Sequence, residues 1–283
     1  MQIWRRRIAA ASGELARVDD LIVALSGGVD SAVLLAIARD ALAGRRLLAV
    51  TAVSASMPAV DARDAASVAR YLAVDHRVVR TSELENPDYR ANRGDRCFHC
   101  RDVLFSSLGE LATREGFGAV AYGAIADDLG DSRPGMRAAL RHRILAPLLD
   151  AGFSKEDVRR AADAEGLPVA EKPAAACLAS RIPVGTEVNP ARLRQVARAE
   201  EALRGLGFGQ LRVRHHGEIA RIELDAAGFR RLVDHGLGQR VSEVVRAAGF
   251  RYVALDLDGY RPGSLNPVAI EPLPATPKRD GGQ

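Results

Sequence analysis

Between residues 20 and 125, short β-branched and apolar runs alternate with segments whose apolar residues recur at helical spacing. "LIVAL" (21–25), "LLAVTAVSA" (47–55), "HRVVRT" (76–81) and "AVAYGAI" (119–125) read as strands. "AVLLAIARDAL", "AVDARDAASVARYLA" and "RDVLFSSLGELATREG" lie between them and read as helices. This alternation predicts an α/β fold, a parallel sheet covered by helices, because parallel neighbours need a crossover that returns the chain to the same sheet edge. Such crossovers are right-handed, and ligands sit at the carboxyl ends of the strands. "SGGVDS" (26–31) and "ADDLGD" (126–131) fall at those ends. A loop carrying "NPDYRANRGDRCFHC" (86–100) is expected to lead into the third helix.

Further on, "SKEDVRRAADAEGLP" predicts a helix with Ser154 and Asp157 as a capping box. From about Glu187 the pattern changes to a helix, the strands "QLRVRHH" and "IARIEL", two more helices and the strand "RYVALDL". The expected division is a first domain over 1–186, a smaller α+β domain over 187–266 and a disordered tail over 267–283, which holds four prolines and no periodicity. With 47% hydrophobic and 27% charged residues the chain is globular in composition, and its net charge of +4 suits an anionic ligand without demanding nucleic acid. The arginines at 5–7 read as solvated surface, and the apolar stretch after them is too short for a signal core. No window is long enough for a membrane span, so a cytoplasmic protein is expected.

"SGGVDS" joins a strand to a helix, where unsatisfied N–H groups and the helix dipole attract an anion and glycines let oxygens approach the main chain. It lacks the lysine of the G-x-x-x-x-G-K-S/T loop, so γ-phosphate transfer is not the natural reading. Asp30 is placed to hold Mg²⁺ against pyrophosphate oxygens while Ser26 and Ser31 donate hydrogen bonds. The plain alternative is a Gly-Gly turn. Asp127 and Asp128 pair two carboxylates at a strand end, either for Mg²⁺ or as an Asx-type turn.

Cys97 and Cys100 form "CFHC", and Cys177 lies in "EKPAAACLASRIP". An odd number of cysteines argues against a disulfide framework. Three thiolates fall short of the usual four-ligand zinc site but suit a 4Fe-4S cluster with one iron open; small buried residues are the bland reading. Lys172 and Arg181 flank Cys177 and are expected to favour its thiolate. In "QLRVRHH", Arg212 and Arg214 share one strand face about 7 Å apart and could clamp a phosphate. Glu223 and Asp256 alternate with apolar neighbours to make the cluster polar, with a solvated sheet face as the alternative. His215 and His216 point to opposite faces and read as structural.

Ser26–Ser31 is similar to the PP-loop of the N-type ATP pyrophosphatases, which adenylate a substrate oxygen and release pyrophosphate. With "NPDYRANRGDRCFHC", "ADDLGDSRPG", "EKPAAACLASRIP", "LRVRHHGEIARIE" and "LDLDGYRPGSLN" added, residues 20–266 closely resemble the LarE family of ATP-dependent sulfur transferases, which serve nickel-pincer nucleotide synthesis. The resemblance implies a Rossmann-like PP-loop sheet. It also implies adenylation of a carboxylate on a pyridinium dicarboxylate mononucleotide, followed by replacement of AMP by sulfur. Nucleotide and Mg²⁺ contacts are implied at Ser26, Gly27, Gly28, Asp30, Ser31, Gly123 and Asp128. Substrate contacts are implied at Arg181, Arg212, Arg214, Glu223 and Asp256. In some members the cysteine matching Cys177 gives up its own sulfur and becomes dehydroalanine. In others the three matching cysteines, here Cys97, Cys100 and Cys177, carry a 4Fe-4S cluster, the form favoured for this chain. A homo-oligomer and a cysteine desulfurase or other sulfide donor are the implied partners. Gly123, Ala124 and Ile125 stand where Gly-Thr-Asn is expected, and Arg101 stands where lysine is common. A tRNA-thiolating PP-loop enzyme and a non-catalytic nucleotide-binding regulator are the competing readings. The first is disfavoured by an aromatic content of only 5%, which leaves few platforms for stacking bases.

Overall fold

The computed structural model describes residues 3–131, 133–173, 176–261 and 264–265, so the expected tail lies outside the described residues. The chain runs α1 (Ile3–Leu15), β1 (Asp20–Ala24), α2 (Val29–Ala41), β2 (Arg46–Val53), α3 (Ala59–Tyr71), β3 (Asp75–Arg80), α4 (Pro87–Ala91), α5 (Arg96–Glu115), β4 (Val120–Tyr122), α6 (Asp128–Asp131) and α7 (Arg133–Arg141). It continues through α8 (Pro147–Asp150), α9 (Lys155–Glu165), α10 (Pro190–Gly205), β5 (Leu211–His216), β6 (Ile219–Leu224), α11 (Ala226–Asp234), α12 (Gly238–Ala247) and β7 (Tyr252–Leu255). One-turn 3-10 helices occupy Glu83–Glu85 and Leu178–Arg181.

The first sheet is parallel, in the order β3-β2-β1-β4. Leu21, Ile22 and Val23 of β1 are fully buried, as a central strand covered on both faces requires. The chain leaves β1 toward β2 and β3, then returns to the other side of β1 as β4. The crevice beyond β1 and β4 is therefore where the direction of winding reverses, the place where open α/β sheets bind ligands. Residues 26–31 and 123–128 both open onto it. The second sheet has the order β5-β6-β7, antiparallel between β5 and β6 and parallel between β6 and β7. Leu211, Val213, Ile222 and Leu224 face a core built with Leu193, Val196 and Leu203 of α10.

Two local expectations are corrected. "CFHC" belongs to the first turns of α5 and not to a loop, since the helix starts at Arg96. At i and i+3, Cys97 and Cys100 therefore share a helix face. The fourth strand is shorter than its apolar run, ending at Tyr122, and Ala124 and Ile125 are buried in the hydrophobic cores outside the strand. The capping box at Ser154 and Asp157 is present in full, with Asp157 also paired to Arg7 of α1.

Candidate active site

The loop after β1 is a closed ring of local bonds. Ser31 Oγ donates to Gly28 O at 2.9 Å and accepts from Ser26 N at 3.2 Å, and Gly28 N donates to Ser26 Oγ at 3.3 Å. Gly27 sits at φ +77°, and a Cβ there would lie 2.1 Å from Asp61 O of α3. Gly123 is needed for a different reason: its Cβ would come within 2.8 Å of Ser31 N. Glycine thus lets the end of β4 lie against the first turn of α2. Gly28 is the N-cap of α2 and offers no side-chain cap, so the helix end keeps its N–H groups for another acceptor.

Asp30 projects from that first turn, and Lys155 Nζ donates to both its oxygens, at 3.1 and 3.0 Å. Lys155 also donates its backbone N–H to Asp127 Oδ2 at 2.7 Å, while Asp128 Oδ2 accepts from Ile125 N at 3.1 Å. Both members of the acidic pair thus tie backbone in place, and Asp30 is the carboxylate already bound to a cationic group. Lys155 was missed in the sequence because nothing local marks it; it stands at the start of an ordinary amphipathic helix.

The Lys172 ammonium is taken up by the nucleotide loop and α3. It donates to Gly27 O and Asp61 Oδ1, both at 2.8 Å, and to Asp64 Oδ2 at 2.5 Å. Arg181 likewise serves backbone and acid: it donates to Ala176 O at 2.6 Å, Cys177 O at 3.0 Å and Ser180 Oγ at 2.9 Å, and forks onto Glu200. The expectation that these two cations activate the thiol is therefore corrected. They hold the two ends of the cysteine segment, with Glu200 neutralising one and Asp61 and Asp64 the other.

Arg212 and Arg214 share a face as the strand period requires, but that face is buried and not solvated: both are at most 6% exposed, and Glu223 is fully buried. Arg214 donates Nε and Nη2 to Glu223 Oε2 at 3.0 and 2.8 Å, and Nη1 to Ser180 O at 3.0 Å. Arg212 stacks over the Tyr260 ring at 5.0 Å. Arg221 bridges Glu223 and Asp256. Burial and then the neighbouring Arg181 make Arg212 hold its proton less tightly than usual, with Glu200 opposing them. Burial alone would raise the Glu200 carboxyl, but Arg181, Arg204 and the Val213 N–H outweigh it and hold it below its usual value. Glu200, in the middle of α10, is a second residue that sequence reading missed.

The three cysteines lie in one neighbourhood. Cys100 and Cys177 pack against the same core cluster. Burial, then Cys177, Glu83 and Cys97, push the Cys100 thiol up, opposed by Arg101. Cys97 keeps an exposed edge, yet loss of hydration and then Cys177 raise it as well. His99 is turned to Asp95 Oδ2 at 3.2 Å and does not join the thiols. Among the described residues, no group of three or more His, Cys, Asp or Glu side chains stands close enough to hold a metal ion. No helix among them is long and apolar enough to cross a membrane.

The asparagine synthase family model matches residues 14–200, the region containing the first sheet and the cysteine segment. A protein of Synechocystis sp. is 42% identical over 257 residues, 90% of this chain and 94% of its own length. The pyridinium-3,5-bisthiocarboxylic acid mononucleotide synthase of Lactiplantibacillus plantarum is 36% identical over 270 residues, 95% of this chain and 96% of its own length. Loop, crevice and near-full-length similarity agree: the chain belongs to the LarE family within the PP-loop ATP pyrophosphatases.

Proposed function

We propose that this protein is an ATP-dependent sulfur-inserting synthase that converts a carboxylate of a pyridinium dicarboxylate mononucleotide into a thiocarboxylate for nickel-pincer nucleotide synthesis. One observation carries the reading. The segment bearing Cys177 is anchored to the nucleotide loop through Lys172 and to Arg214 through Ser180, which supports a sulfur carried between the two regions this reading gives to the nucleotide and the substrate phosphate. An enzyme that adenylates one end of a phosphorylated substrate and then delivers sulfur needs that order.

Pyrophosphate sits against the loop amides and the first turn of α2. Asp30, whose carboxylate already holds the Lys155 ammonium, suits a Mg²⁺ ion, and Lys155 supplies the positive charge that the loop lacks. The substrate carboxylate attacks the α-phosphorus, an O–P bond forms and pyrophosphate leaves. Arg212 and Arg214 hold the substrate phosphate, with Glu223 and Asp256 fixing the arginines. Sulfur then attacks the acyl carbon and AMP departs with the bonding pair. Where Cys177 is the donor, loss of its Cα proton and cleavage of Cβ–S free the thiocarboxylate and leave dehydroalanine.

Three cysteine thiols are the ligand type a 4Fe-4S cluster takes, although burial holds Cys97 and Cys100 as thiols in the unligated protein and the three would have to draw closer to share an ion. Bound there, a cluster would supply a renewable sulfide. Cys97, Cys100 and Cys177 would hold it. The same reading places the first domain at 1–186 and the second at 187–266, and includes cytoplasmic location, self-assembly and a cysteine desulfurase or other sulfide donor. The test is pyrophosphate release that depends on the mononucleotide, with the thiocarboxylate identified by mass. ATP turnover that ignores the mononucleotide would overturn the proposal.

A further inference from the structure

The stretch "DLDGY" (256–260) follows β7 as a turn pinned from several sides. Asp256 Oδ1 accepts from Asp258 N at 3.0 Å, and Asp256 O accepts from Gly259 N at 3.1 Å. Aspartate starts such turns because its carboxylate reaches the backbone two residues on. Gly259 sits at φ +71°, and a Cβ there would lie 2.7 Å from Leu224 O, so glycine lets the turn rest on the end of β6. Leu224 O then accepts from Tyr260 N at 2.8 Å. The other oxygen of Asp256 pairs with Arg221, which ties the turn to the sheet a second time. The half-buried ring of Tyr260 is thereby delivered to a fixed place, its centre 5.0 Å from the guanidinium carbon of Arg212.

Arg212 and Arg214 are both buried, yet they are held differently. Arg214 is gripped in its own plane, by the fork onto Glu223 and the bond to Ser180 O. Arg212 donates Nη1 to Leu211 O at 2.7 Å and is met on its face by the Tyr260 ring. A carboxylate partner occupies in-plane N–H donors, the same ones an incoming oxyanion needs. An aromatic face attracts the cation through its quadrupole and takes none of them. The Leu211 bond pins one corner of the guanidinium, and the ring pins its plane. We propose that Tyr260 is a positioning residue of the substrate-phosphate site, holding the Arg212 guanidinium by its face so that the N–H edge is presented to the phosphate. The turn at 256–260 exists, on this account, to set that ring, and Asp256 serves the site twice, through Arg221 and through Tyr260.

This inference rests on the sulfur-transferase reading, and two variants test it separately. Tyr260→Leu removes the ring face, and Tyr260→Phe keeps the ring without its hydroxyl. In mononucleotide-dependent pyrophosphate release, Tyr260→Leu raises KM for the mononucleotide about 3- to 30-fold, the range of one desolvated cation–π contact. Its KM for ATP and its kcat at saturating mononucleotide stay at the wild-type values, and Tyr260→Phe matches wild type throughout. Phenylglyoxal labelling of Arg212 without nucleotide, read by peptide mass, quickens by about threefold or more in Tyr260→Leu and not in Tyr260→Phe, a readout independent of substrate. Mononucleotide KM and labelling both unchanged in Tyr260→Leu would overturn the proposal. So would equal losses in the two variants, which assign the role to the hydroxyl. A lowered thermal midpoint with KM for ATP and for the mononucleotide raised alike would overturn it too, since that marks a structural ring. Absence of mononucleotide-dependent pyrophosphate release in the wild type would instead strike the function, leaving the labelling result to decide on Tyr260.

Discussion

Gly27→Ala places a methyl group 2.1 Å from the Asp61 carbonyl oxygen, at a residue whose φ is +77°. Two costs follow. An L-residue held in the left-handed region costs about 1–2 kcal/mol relative to glycine. Relieving the contact requires the turn of α3 at Asp61 to retreat by about 1 Å, and overpacking of this kind costs about 1–3 kcal/mol. The sum is about 2–5 kcal/mol, and at about 2–4 °C per kcal/mol for a domain of this size the midpoint should drop by about 4–20 °C. The displacement also pulls on Lys172, which bonds both Gly27 O and Asp61, so the cysteine segment loses one of its anchors. Thermal unfolding measures the first effect, and calorimetric titration with Mg·ATP measures the second as an affinity loss of at least tenfold. Gly109→Ala is the control: that glycine lies within α5 with nothing within 4 Å of its Cβ, and the change should stabilise by about 0.5–1 kcal/mol. If Gly27→Ala melts within 2 °C of wild type and binds ATP normally, the steric account of the loop is wrong.

Lys155→Met should slow adenylation about 10- to 100-fold with little change in the midpoint, because a half-exposed ion pair contributes about 0–1 kcal/mol to folding; pyrophosphate release and thermal unfolding separate the two. Glu200→Gln leaves buried Arg181 without its counter-charge and should destabilise by about 3–5 kcal/mol in denaturant unfolding at pH 7. Because the Glu200 carboxyl is held below its usual 4.5, its contribution is fully present above about pH 4.5 and fades as pH falls through the folded value; the Glu200→Gln variant should therefore lose less stability than wild type on acidification. Arg214→Lys forfeits the fork onto Glu223 and the bond to Ser180 O, and should raise KM for the mononucleotide while leaving KM for ATP unchanged in pyrophosphate-release assays. Anaerobic purification of the wild type should yield about four irons per chain, lost in Cys97→Ala; an iron-free protein even after reconstitution would make Cys177 the sacrificial donor.

What the sequence determined by itself was the parallel α/β sheet over residues 20–125, the position of the nucleotide loop at a strand's carboxyl end, and the placing of Arg212 and Arg214 on one strand face. These depend on spacings of a few residues, which strand and helix periods convert directly into geometry. The partners of the charged groups were a different matter. Lys155 reaches Asp30 across 125 residues and Lys172 reaches Gly27 across 145, separations at which the chain between them decides who meets whom. Adjacency in sequence suggested that Lys172 and Arg181 serve the Cys177 sulfur; packing gave them to backbone carbonyls and to Asp61, Asp64 and Glu200, because buried cations settle on the acceptors that tertiary structure brings within reach. "CFHC" read as loop because Asn, Gly and Pro crowd the residues before it, and only the docked α5 showed that the pair begins a helix. Glu200 and Tyr89 look in sequence like any polar residue on an amphipathic helix or short turn. Their full burial exists only once α10, α4 and the cysteine segment close on each other.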